Sequence, residues 1–83
     1  MFYLIMCRSL TYALRIQNAL EKAGIPARLQ RSPSELSQGG CGYAVKVPAR
    51  HLARAMTVLR RTGLPYLRIY VGASDRDYRE VEP

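Results

Sequence analysis

The hydrophobic pattern of this chain switches period several times, and each switch marks an element. Phe2–Cys7 is apolar at successive positions, the pattern of a central strand buried on both faces. From Leu10 onward the spacing becomes helical. Ala13, Ile16, Leu20 and Ala23 recur at +3, +4 and +3, with Arg15, Asn18 and Lys22 on the opposite side. Ser9 supplies an N-cap. Lys22-Ala23-Gly24-Ile25-Pro26 stops the helix, because Gly tolerates the left-handed turn after a last helical residue and Pro prevents continuation. Ala27–Arg31 reads as a short, polar edge strand. Gly42–Val47 alternates, with Tyr43, Val45 and Val47 on one face and Ala44 and Lys46 on the other. Pro48 opens a second helix whose stripe is Leu52, Ala55, Leu59 and Thr62, with Arg50, Arg54 and Arg61 opposite. In the last strand, Tyr66–Val71, the pattern aims Leu67, Ile69 and Val71 at the helices and Tyr66, Arg68 and Tyr70 away from them.

The two halves repeat. Displaced by 39 residues, the first stop signal returns as Arg61-Thr62-Gly63-Leu64-Pro65, and the helical stripe returns with it. The order β-α-β-β-α-β is two split β-α-β units, which predicts an α+β, ferredoxin-like fold with two helices on one face of a four-stranded antiparallel sheet. Right-handed crossovers place the first and third strands in the centre. Residues 1–72 form the single domain of this reading, and residues 73–83 a polar, acidic and mobile tail.

Size and charge narrow the function. Eighty-three residues leave no room for a two-domain enzyme with a buried cofactor, and so small a core favours a partner or an oligomer. No apolar run approaches the roughly 20 residues needed to span a bilayer. The opening segment lacks a basic stretch and a small-residue cleavage site, so it reads as a strand rather than a signal peptide. The net charge is +7, unevenly spread: residues 1–72 carry 11 basic residues against Glu21 and Glu35, whereas residues 73–83 carry four acidic against two basic. A basic body points to an acidic partner, or to a solubilising surface of arginines. Two cysteines and one histidine, His51, make a poor metal set, and none is expected. That cysteine usage fits a reducing, cytoplasmic compartment.

The loop between the second and third strands is longer than a hairpin requires, and Gly39, Gly40 and Gly42 surround Cys41 in it. One reading makes the glycines a bulged turn and Cys41 a small filler. The predicted topology favours another. It brings the end of the first strand, the start of the first helix and this loop to one end of the sheet, so that Cys7, Arg8, Ser9, Arg31 and Tyr43 gather around Cys41. A helix N-terminus and cations both favour thiolate over thiol, lowering a pKa that starts near ~8.5. Cys41 is then a reactive thiol, and Cys7 a core residue or a second, resolving thiol. Whether the two bond is left open by the sequence.

At this loop, Arg31-Ser32-Pro33-Ser34-Glu35-Leu36-Ser37-Gln38-Gly39-Gly40-Cys41-Gly42-Tyr43-Ala44 resembles the signature of the selenium/sulfur carrier-like proteins, a family of small bacterial proteins. The pattern is a Pro, an acidic residue, a Leu-Ser pair and then Cys-Gly before an aromatic or small residue. The resemblance extends from Tyr3-Leu4-Ile5 through Ala19–Leu29 to about Val71, and the Cys-Gly loop is its specific part. It implies that Cys41 holds sulfur or selenium as a persulfide or selenopersulfide, received from a donor such as a cysteine desulfurase and passed to an acceptor protein. Such a carrier needs no cofactor beyond the covalently held atom. It is not an enzyme in the usual sense, since no general acid or base is evident near the loop.

Two other readings stand beside it. An RNA-binding module would use the open sheet face, with Tyr66, Arg68 and Tyr70 joined by Tyr3, Arg28 and Lys46. A regulatory homodimer would bind a small ligand at the Gly-rich loop.

Overall fold

The structure is a computed structural model that describes residues 1–32, 42–73 and 78–81. Its elements are β1 (Phe2–Cys7), α1 (Leu10–Lys22), β2 (Arg28–Arg31), β3 (Tyr43–Pro48), a 3₁₀ turn (Ala49–His51), α2 (Leu52–Thr62), β4 (Arg68–Gly72) and β5 (Tyr78–Val81). The sheet is antiparallel throughout, in the order β2-β3-β1-β4-β5. Among the described residues it has five strands, not the four expected. The fifth comes from the segment read as a mobile tail: Tyr78–Val81 pairs with β4, setting Tyr78 opposite Gly72 and Val81 opposite Ile69.

Period-2 alternation divides the sheet into two faces. Ile5, Cys7, Val45, Val47 and Ile69 point to the helices and meet Ala13, Ile16, Leu20, Ala55, Met56, Val58 and Leu59 in the main core. Leu4, Met6 and Ala44 are buried on the other face, packed with Phe2, Tyr70 and Tyr78. Strand β1 is thus apolar on both sides because both sides are covered.

Both helix stops behave as glycine chemistry requires. Gly24 and Gly63 hold φ of +79° and +70°. The Ile25 N–H reaches back to the Leu20 carbonyl at 2.9 Å, and the Gly63 N–H to that of Leu59 at 3.0 Å. Arg54 ties the helices together by donating to the Ala23 carbonyl at 2.8 Å.

Four local expectations need correction. The second helical stripe holds at Leu52, Ala55 and Leu59 but also buries Met56 and Val58, whereas Thr62 is exposed and turns its hydroxyl back to the Val58 carbonyl. Pro48 ends β3 rather than opening α2, since a 3₁₀ turn intervenes and winds the chain more tightly before Leu52. Leu67 is 54% exposed and Tyr66 packs on the helix-side core, the reverse of strict alternation, because β4 begins only at Arg68. Tyr3 also packs on the helix-side core, sharing the parity of Ile5 and Cys7.

Candidate functional site

The end of the sheet where β1 stops and β3 starts carries most of the described site residues. Cys7 closes β1 opposite Tyr43, and Tyr43 stands opposite Arg31 of β2. Cys7 and Arg31 therefore flank Tyr43, separated by two strand spacings, about 10 Å. One residue further, the Ser32 N–H donates to the Gly42 carbonyl at 3.0 Å and extends the β2–β3 ladder. Residues 33–41, with Gly39, Gly40 and Cys41, lie outside the described residues, and so does any bond between Cys41 and Cys7. The chain re-enters the described structure at Gly42, beside that ladder.

Helix α1 starts at the same end. Ser9 is its N-cap, accepting from the Tyr12 N–H at 3.4 Å, in the extended backbone conformation a cap requires. No acidic residue occupies the first turn of α1, so its positive dipole end is not offset by a carboxylate there. Arg8 and Arg31 are both exposed at this rim. The described carboxylates lie elsewhere: Glu21 in the last turn of α1 and Glu80 on β5. Among the described residues, the groups at this end favour an anion.

Cys7 does not share in that field. Its side chain is 1% exposed in the main core, and its thiol donates to the Ile5 carbonyl at 3.4 Å. Burial pushes its pKa from an ordinary 9.0 up to about 11, so it stays a thiol at neutral pH. A thiolate is the reactive species, and Cys7 in the folded state is poorly placed to act as one.

Ser32 was not singled out in the sequence. Its hydroxyl is buried with no hydrogen-bond partner, and it sits where Gly42 leaves space: a Cβ on Gly42 would lie 2.7 Å from Ser32 Oγ and 3.3 Å from Ser32 Cβ. A buried, unused hydroxyl is uncommon in a folded protein. This one lies beside Gly42, the residue that follows Cys41.

A model of the family described as "Putative Se/S carrier protein-like" matches residues 2–71. The chain belongs to this family. The matched span takes in β1 to β3, both helices, the Cys41-Gly42 pair and β4 up to Val71, and it ends before β5. No curated protein and no solved structure matches the chain.

For a Se/S carrier-like protein the other faces are also informative. On the sheet face away from the helices, Lys46 Nζ lies 4.1 Å from the centroid of the Phe2 ring, and Arg68 pairs with Glu80 at 3.2 Å. Two cations of the RNA-binding alternative are therefore engaged within the chain, while Tyr3 and Tyr66 pack toward the helices. Among the described residues no helix is long and apolar enough to cross a membrane.

Proposed function

We propose that this protein carries sulfur or selenium on Cys41, held as a persulfide or selenopersulfide and relayed between a donor and an acceptor protein on a ferredoxin-like core. The observation that carries the reading is family membership across a span that includes the Cys-Gly pair. The cationic end of the sheet supports it, with the α1 N-terminus, Arg8 and Arg31 able to favour thiolate and then the charged terminal sulfur. The partnerless Ser32 hydroxyl is a further donor available beside Gly42.

The chemistry is a group transfer without net redox change. The Cys41 thiolate attacks the terminal sulfur of a donor persulfide. A new sulfur–sulfur bond forms on Cys41, the donor's sulfur–sulfur bond breaks, and the donor cysteine leaves as a thiolate. The terminal sulfur keeps its proton or loses it to solvent. Attack by an acceptor thiolate repeats the step in the other direction. The protein is consumed and regenerated as a carrier, with no resident cofactor and a cytoplasmic setting.

Incubation with a cysteine desulfurase and cysteine, followed by intact-mass measurement, tests this. The expected product gains one sulfur atom, removable by reductant and absent in Cys41→Ser. In the native state one thiol should alkylate rapidly at neutral pH, and the second only after unfolding. A wild-type chain that gains no sulfur, or gains it equally in Cys41→Ser, would refute the reading.

A further inference from the structure

The two helices leave a groove of about 500 Å³ on the outer surface of the helical layer. Its floor is apolar, formed by Ala19, Val58 and Leu64, and its rim is basic, with Arg15 and Lys22 from α1 and Arg61 from α2. All three rim cations are exposed. The only ion pair described in the chain, Arg68–Glu80, lies on the other face of the sheet, and no described carboxylate lines the groove. Three unpaired cations around an apolar floor form a surface of one sign with a hydrophobic centre. The groove reaches toward the Gly42 end along α2, which ends at Thr62; the following connection, which includes Leu64, leads to β4 beside Met6 at that end of the sheet.

We infer that this groove is the docking surface for an acidic, amphipathic protein segment, one apolar stripe flanked by carboxylates, presented by the sulfur donor or acceptor. The inference deepens the carrier reading and rests on it for the identity of the partner. Charge complementarity selects an anionic occupant, and the floor selects among anions. Single-stranded nucleic acid gains much of its affinity by stacking bases on aromatic rings, and no aromatic side chain lines this groove. An acidic helix would use both parts, with aliphatic side chains on Ala19, Val58 and Leu64 and carboxylates on Arg15, Lys22 and Arg61. Seated there, it would extend toward the end of the sheet where the described chain resumes at Gly42.

The test uses the full chain in the Cys41→Ser form, so that binding is read without sulfur chemistry. The probe is a labelled synthetic helix with a leucine stripe flanked by glutamates, and its controls are the same peptide with lysine for glutamate and a single-stranded oligouridylate. Anisotropy should show binding of the acidic helix that weakens with salt. The combined Arg15→Glu, Lys22→Glu and Arg61→Glu variant should lose at least roughly tenfold in affinity, since three exposed attractive pairs become repulsive. In an otherwise wild-type chain the same three substitutions should leave the Cys41 alkylation rate unchanged, because they lie in the groove. Unaltered peptide affinity in the triple variant, equal binding of the lysine peptide, or stronger binding of the oligonucleotide overturns the inference. Loss of sulfur loading with groove binding intact counts against the carrier reading alone.

Discussion

Replacing Gly42 by Ala adds one methyl at the mouth of the Cys41 loop, and the structure says what that methyl meets. It would stand 2.7 Å from Ser32 Oγ and 3.3 Å from Ser32 Cβ. The first contact is relieved by rotating the Ser32 side chain, and the rotation forfeits no hydrogen bond because the hydroxyl has none. The second contact is not relieved by rotation, since a Cβ is fixed by its backbone. The two strands must separate by a few tenths of an ångström, against the Ser32–Gly42 hydrogen bond at 3.0 Å. Overpacking of this kind costs about 1–3 kcal/mol. Gly42 does not hold a positive φ, so Ala also restricts the unfolded chain and returns about 0.4–1 kcal/mol. The balance is a loss of about 1–2 kcal/mol, a fall in Tm of roughly 5–15 °C for a domain of this size. Thermal unfolding of four chains checks it. Ser32→Ala alone should be at least as stable as the parent, because it removes a buried, unsatisfied hydroxyl. The Ser32→Ala, Gly42→Ala pair should recover part of the loss, and Ser32→Gly with Gly42→Ala most of the strain. A Gly42→Ala chain that melts at or above the parent temperature, or a cycle with no coupling between the sites, would show that the close approach is not a constraint.

Two further expectations follow from side chains elsewhere. The Cys7 pKa is raised on folding, from 9.0 to about 11, so the folded state favours the protonated thiol. Its contribution is complete below pH 9 and disappears as pH rises toward 11, an effect of about 3 kcal/mol. Denaturant titrations between pH 8 and 11 should show a steeper decline for the parent than for Cys7→Ala, and parallel curves would contradict the assignment. Gly72→Ala would place a Cβ 2.9 Å from the Phe2 ring and 3.1 Å from Tyr78, whose rings meet edge-on at 6.2 Å. It should cost about 1–3 kcal/mol and speed amide exchange in β4 and β5 more than in α1. Uniform exchange across the chain would argue against a local clash.

The elements that announced themselves in the sequence did so through chemistry that acts locally. The Gly-Ile-Pro and Gly-Leu-Pro stops need a left-handed residue and then a block, and Gly24 and Gly63 supply the first. Alternation through Tyr43–Val47 survived because β3 pairs on both sides, which holds its parity. Local signals failed where pairing decides. Tyr78-Arg79-Glu80-Val81 neither alternates nor runs apolar, and it becomes a strand by laddering onto β4, with Tyr78 packing on Phe2 across Gly72. The 39-residue repeat held at Leu52, Ala55 and Leu59 and misled at Thr62, the last residue of α2, whose hydroxyl is satisfied by the Val58 carbonyl of its own helix. At the site, the Ser9 cap was legible as a local signal, and the placing of Cys7 and Arg31 on either side of Tyr43 follows from the antiparallel pairing of β1 and β2 with β3. Ser32 could not be read there, since its significance depends on how closely Gly42 approaches it.

The two margins of the sheet carry a consequence for behaviour at high concentration. Among the described residues each spans four, Arg28–Arg31 on one side and Tyr78–Val81 on the other. That offers a strand from a neighbouring molecule about 13 Å of described edge on either side. On the first side two like-charged copies would also bring Arg28 and Arg31 against each other. Margins this brief and this ionic deter edge-to-edge stacking into fibres, so the apolar faces of β1 can be fully used for folding without making the molecule adhesive.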